Sequence, residues 1–137
     1  MRKTAICLVA FLGSWVTALA QAPAHQWKVV QVVHLTQQTS AIPATTLFTA
    51  TKIGLYRVTL ANSCEGEGGD SQPPYWDLLL TSKATGNVDV QCDAGSAGTN
   101  LITLDLKPGA PITYFSLAEE GIPTFAYDID IVVEQFQ

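Results

Sequence analysis

From about residue 27 onward, apolar and polar side chains alternate at every second position, and no segment sustains the 3.6-residue period of a helix. Successive side chains of a strand point to opposite faces, so this pattern describes half-buried strands. Candidate strands lie at 27–35, 45–50, 54–62, 75–82, 87–92, 100–107, 112–117 and 125–136. Runs rich in Gly and Pro separate them, at 64–74 (CEGEGGDSQPP), 84–87 (ATGN), 93–99 (DAGSAGT), 108–111 (PGAP) and 119–123 (EEGIP). Short strands joined in this way predict an all-β fold of about seven to ten strands, an antiparallel β-sandwich or jelly roll, with essentially no helix. The alternation also assigns the core. Tyr56, Val58, Leu60 and Cys64 share one parity, as do Val88, Val90 and Cys92, then Ile102, Leu104 and Leu106, then Tyr127, Ile129, Ile131 and Val133.

Residues 1–20 read differently. Arg2 and Lys3 precede an apolar stretch that ends in Ala18-Leu19-Ala20, a small-x-small pattern. That is the form of a secretory signal peptide cleaved after Ala20, which leaves 21–137 as a single domain in a secreted or periplasmic protein. The apolar stretch is shorter than the roughly 20 residues of a membrane span, so membrane insertion is not expected. Cys7 leaves with the leader. Cys64 and Cys92 then form the one available pair in an oxidising compartment, both on core-facing rows, and a disulfide between them is expected.

Hydrophobic residues make up 47% of the chain and charged ones 14%, proportions that exclude disorder and coiled coil. Beyond the leader the basic residues are Lys28, Lys52, Arg57, Lys83 and Lys107, far apart in sequence, within a formal net charge of −5. Without concentrated positive charge, nucleic acid and anionic membrane surfaces are poor partners.

No catalytic motif stands out, and an enzyme is not expected. His25 and His34 are the two histidines, and neither lies near a candidate nucleophile in sequence. Gly69-Asp70-Ser71 and Gly95-Ser96-Ala97-Gly98 lack the strand–turn–helix setting of a nucleophile loop and read as turns. The acidic run with Glu65, Glu67 and Asp70, together with Asp93, reads as a solvated loop. No resident cofactor is expected, and Ca²⁺ is the one metal whose oxygen-rich chemistry those four carboxylates suit. Tyr75, Trp76 and Asp77 could stack on and hydrogen-bond a sugar if exposed, or pack as core if not. The leading reading is therefore a secreted, non-enzymatic module with a structural or binding role toward a protein or glycan ligand. The alternative is a small carbohydrate-binding or carbohydrate-active domain, and the exposure of Trp76 separates the two.

Leu47-Phe48-Thr49 followed by Gly54-Leu55-Tyr56-Arg57-Val58 resembles the F-T-(x)n-G-x-Y-x-[FV] strand pair of C1q/TNF-like jelly rolls, in particular small bacterial secreted or phage-fibre versions. Lys107-Pro108-Gly109-Ala110-Pro111-Ile112-Thr113-Tyr114 is similar to a later turn and strand of that group, and an alternating last strand, 126–133, follows. No collagen-like stalk precedes the domain, and the cysteine pair is not a mark of that group. The resemblance implies a trimeric binding head in which the first strand, the G-x-Y strand and the last strand line the trimer axis. Carried onto this chain, it implies an interface of Val30, Val32 and His34 beside Leu55, Arg57 and Thr59, with Asp128, Asp130 and Val132 opposite and Arg57 and Lys28 pairing with the two aspartates. The valines on both faces of 27–35 agree with that. The competing expectation is a monomer in which a β-bulge near Gln31 turns both valine pairs inward.

Cleavage after Ala20 has a direct check: the intact mass of the exported protein should correspond to a chain beginning at Gln21, and a product that retains Trp15 refutes it.

Overall fold

The structure, a computed structural model, describes residues 25–66, 75–119 and 123–137. The expected signal peptide, residues 1–20, and Glu67 and Asp70 lie outside them. Eight strands are present among the described residues: β1 (Trp27–Gln38), β2 (Thr45–Thr49), β3 (Gly54–Cys64), β4 (Tyr75–Ser82), β5 (Gly86–Cys92), β6 (Ala97–Leu106), β7 (Pro111–Glu119) and β8 (Tyr127–Phe136). They form two four-stranded sheets, β1-β8-β3-β6 and β2-β7-β4-β5, with every pairing antiparallel. β1 pairs with β8, β2 with β7, β3 with β6 and β4 with β5. The chain is thus one long hairpin, first half against second, rolled so that successive rungs fall in alternate sheets. That is a jelly-roll topology, the one of the two expected architectures that the resemblance favoured.

The inward rows meet between the sheets. Tyr56, Val58, Leu60, Leu104, Leu106, Ile129, Ile131 and Val133 come from one sheet; Leu47, Trp76, Leu78, Leu80, Ile112 and Tyr114 come from the other, and all are buried. Three polar devices fasten the layers. Cys64, at the end of β3, is joined to Cys92, at the end of β5, with Cα atoms 5.9 Å apart, so the disulfide crosses from one sheet to the other. The Ile42 amide donates to Ser116 Oγ at 2.8 Å. Ser116 Oγ lies 2.5 Å from Tyr127 Oη, whose hydroxyl donates to the Ser40 carbonyl at 2.8 Å. This relay pins the β1–β2 connection to both sheets, and burial pushes the Tyr127 hydroxyl pKa up. Buried Asn62 donates to the Val90 carbonyl and accepts from the Gly98 amide at 2.9 Å, which ties β3 to β5 and β6. A Cβ at Gly98 would come within 2.5 Å of Val90 Cγ1 and 2.9 Å of Asn62 Oδ1, so only glycine fits there without displacement.

The register also sorts the ends of the sandwich. Gly54 pairs with Leu106, Thr49 with Pro111, Ser82 with Ile112 and Trp27 with Phe136. The connections at 50–53, 83–85 and 107–110 therefore share one end. Lys52, Lys83 and Lys107 lie in them, and Lys28 and Arg57 lie in the nearby parts of β1 and β3. The scattered basic residues of the sequence thus gather at one pole, which corrects the reading that no basic cluster exists. The opposite pole carries the disulfide with Glu65, Asp93 and Asp128.

Removing the disulfide frees a loop of 28 residues' separation in the unfolded chain. A Cys64→Ser/Cys92→Ser variant should lose roughly 3–4 kcal/mol of unfolding free energy in urea titration. A loss of less than about 1 kcal/mol would show that the bond does not constrain the unfolded state as described.

Candidate interaction surface

The outer face of the β1-β8-β3-β6 sheet is built from the residues that alternate with the core. Its middle row crosses all four strands as Val32, Val132, Thr59 and Leu101. The row on the basic side of it reads Val29, Glu134, Arg57 and Thr103, and beyond that Trp27 pairs with Phe136. On the other side stand His34, Asp130, Ala61 and Thr99. Six large hydrophobic side chains are exposed among the described residues. Five belong to this face: Val29 (53% exposed), Val32 (54%), Leu55 (45%), Leu101 (55%) and Phe136 (40%).

The charges beside its apolar centre are paired, while Asp105, exposed on the same parity of β6, makes no ion pair among the described residues. Arg57 Nε donates to Glu134 Oε2 at 2.6 Å, and the guanidinium lies 4.7 Å from the centre of the Trp27 ring, a cation–π distance. The hydrogen bond to Glu134 raises the Arg57 pKa, and the same bond lowers that of Glu134. His34 Nδ1 is bonded to Asp130 Oδ1. What the face offers a neighbour is therefore apolar surface with few uncompensated charges.

Of the expected interface residues, Val32, Leu55, Arg57 and Val132 do lie on this face. Val30 does not. The β1–β8 register shifts between Val29 and Gln31, and this bulge turns Val30 inward against the core beside Val33 and Leu35. Val29 takes the outward place instead. The bulge expected near Gln31 is therefore present, but it hides one valine of each pair rather than all four. The expected ion pairs are also rearranged, because Arg57 binds Glu134 rather than an aspartate and Asp130 is taken by His34. Val29, Leu101 and Phe136 were not expected here. Leu101 stood in the sequence as an apolar residue among Thr103 and Asp105 on the outward parity, a signal that was available.

Trp76 is a second correction. It is 2% exposed, packs against Tyr127 with ring centres 4.7 Å apart, and donates from Nε1 to the Phe125 carbonyl at 3.3 Å. It cannot serve as a sugar platform. Tyr75 and Asp77 alternate with it on the outer side of the other sheet, half-buried. Of the carboxylates considered for Ca²⁺, Glu67 and Asp70 lie outside the described residues. Glu65 accepts a hydrogen bond from Gln37 Nε2, and Asp93 accepts one from Gln91 Nε2 at 3.0 Å. Among the described residues no group of three or more His, Cys, Asp or Glu side chains is arranged to hold a metal ion.

No protein-family model matches the chain, and no curated protein does. Several solved structures are similar to it in part, among them the following three. The CBM22-1 xylan-binding domain of Paenibacillus barcinonensis Xyn10C is 9% identical, over 84% of this chain and 83% of that one, with a TM-score of 0.41. A chain of the infectious bursal disease virus Gx strain is 14% identical, over 77% of this chain and 32% of its own, with a TM-score of 0.41. The Gt strain counterpart gives 12%, 96% and 38%, with a TM-score of 0.34. This chain spans less than half the length of the two virus chains. At such similarities the matches say nothing of what this chain binds.

The Arg57–Glu134 pair makes the face sensitive to acid. Because its folded pKa is depressed, Glu134 contributes stability that is present above its unfolded pKa and is lost as pH falls through the folded one. The melting temperature of the unsubstituted protein should therefore drop more on acidification than that of Glu134→Gln. Parallel curves for the two proteins would show that the pair contributes nothing.

Proposed function

We propose that this chain is a secreted, non-enzymatic binding or structural module that assembles as a homotrimer through the outer face of the β1-β8-β3-β6 sheet. The observation that carries the reading is the placement of five of the six exposed large hydrophobic residues on that one face. A second copy is the occupant that suits it. The charged groups beside the face's apolar centre, Arg57 with Glu134 and His34 with Asp130, are already bonded to one another, so an identical face can cover that centre without stranding them. Closed rotational symmetry would bury the same patch on every copy. The sheet order adds support to a C1q/TNF-like reading, since the first strand, the G-x-Y strand and the last strand lie side by side as β1, β3 and β8. The inter-sheet disulfide supports an oxidising compartment.

Light scattering on the mature protein at micromolar concentration should give the mass of three chains, and Val32→Asp should give folded monomers. A single-chain mass for the unsubstituted protein refutes the interface. So does a Val32→Asp protein that keeps the oligomer.

A further inference from the structure

We infer that the basic pole of the sandwich is a binding site for an acidic polysaccharide, seated in the cavity between Lys83 and Lys107. Two independent observations meet there. The first is the charge distribution: although the chain carries more acidic than basic residues, all five basic residues beyond the leader lie toward this one end. Arg57 is engaged by Glu134. Lys52, Lys83 and Lys107 have no ion-pair partner among the described residues. The second is a cavity of about 370 Å³ lined by Lys83 and Ala84 from the β4–β5 turn, Asp105 and Leu106 from the end of β6, and Lys107 and Ala110 from the β6–β7 loop. That volume falls within the range of small-ligand sites. Lys52 lies in the neighbouring 50–53 loop, which is tied to the 107–110 loop: the Gly109 amide donates to the Ala50 carbonyl at 2.8 Å and the Ala50 amide donates to the Ala110 carbonyl at 3.0 Å.

The arrangement suits one class of anion better than others. Three lysines on three separate loops match charges spaced along a chain, as in a polyuronate, rather than the single dense charge of a phosphate ion. Ala84 and Ala110 offer a small apolar patch to the C–H face of a sugar ring, and Asp105 offers an acceptor for its hydroxyls. Among the described residues no aromatic side chain lines the cavity, so nothing there offers to stack on unpaired bases. A duplex would ask for many more neutralised phosphates than three lysines provide. The inference does not depend on the trimer interface, whose basic-pole edge reaches the cavity where Leu55 pairs with Asp105.

Calorimetric titration of the full-length mature protein with a sodium oligogalacturonate of defined length, at low and at high salt, tests it. Binding should appear at low salt and weaken with added salt. It should fall about tenfold or more in Lys83→Ala/Lys107→Ala and less than about twofold in Lys28→Ala, which removes the same kind of charge from the opposite edge of the sheet. Circular dichroism melts report whether each variant is folded. A neutral xylo-oligosaccharide, vesicles with anionic lipid and a single-stranded oligonucleotide complete the set of probes. The inference is overturned by absence of oligogalacturonate binding, by equal losses in the Lys28→Ala protein, or by tighter binding of vesicles or oligonucleotide than of the polyuronate. Trimer formation with no glycan binding would refute this site and leave the interface standing.

Discussion

Only every second side chain of a strand can enter a sandwich, and the rest of this structure depends on that rule. The core is filled by one parity of β3, β4, β7 and β8, from Tyr56 to Val133, so every apolar residue on the other parity must remain outside. Val132 and Leu101 remain outside for this reason. β1 meets the rule differently, by inserting one extra residue, so that Val30 and Val33 point inward while Val29 and Val32 stay out. The exposed apolar face is therefore a result of pairing geometry acting on a sequence with more valines and leucines than one layer of core can accept.

The fastenings between the sheets are unequal at the two poles. The disulfide, Trp76 against Tyr127 and the Ser116–Tyr127–Ser40 relay all lie toward the acidic pole or beside it. The basic pole is closed by short connections and backbone bonds such as those between Ala50 and the 107–110 loop. Covalent restraint and ligand-facing loops are thus separated by the length of the strands.

Much of the fold was legible in the sequence because period two is a strong signal and Gly/Pro turns punctuate it. All eight strands fall where the alternation put them, and the two cysteines meet as their parity implied. The misses have particular causes. β6 begins at Ala97, inside a stretch that reads as a turn, because Gly98 is tucked under Asn62 by a contact with a residue 36 positions away. β1 runs on to Gln38 through polar residues whose pairing with β8 no hydropathy pattern records. Trp76 shares parity with Leu78 and Leu80, so its burial is legible in the alternation, whereas Tyr75 lies on the opposite parity. The valines on both faces of 27–35 mark a bulge near Gln31 but not which valine of each pair it hides, and the gathering of Lys52, Lys83 and Lys107 exists only once the topology brings their loops together.

That gathering gives the molecule a charge separation along its strand axis, which its net charge conceals. Judged by the sum, the protein should be repelled by any anionic body. Within a Debye length, roughly 10 Å in ordinary buffer, it is the nearer pole and not the sum that is felt. An anionic surface therefore exerts a torque before it exerts a net push, turning the 50–53, 83–85 and 107–110 loops forward and the disulfide pole away. The orientation of encounter is selected before contact, and added salt removes that selection without altering a single packing contact.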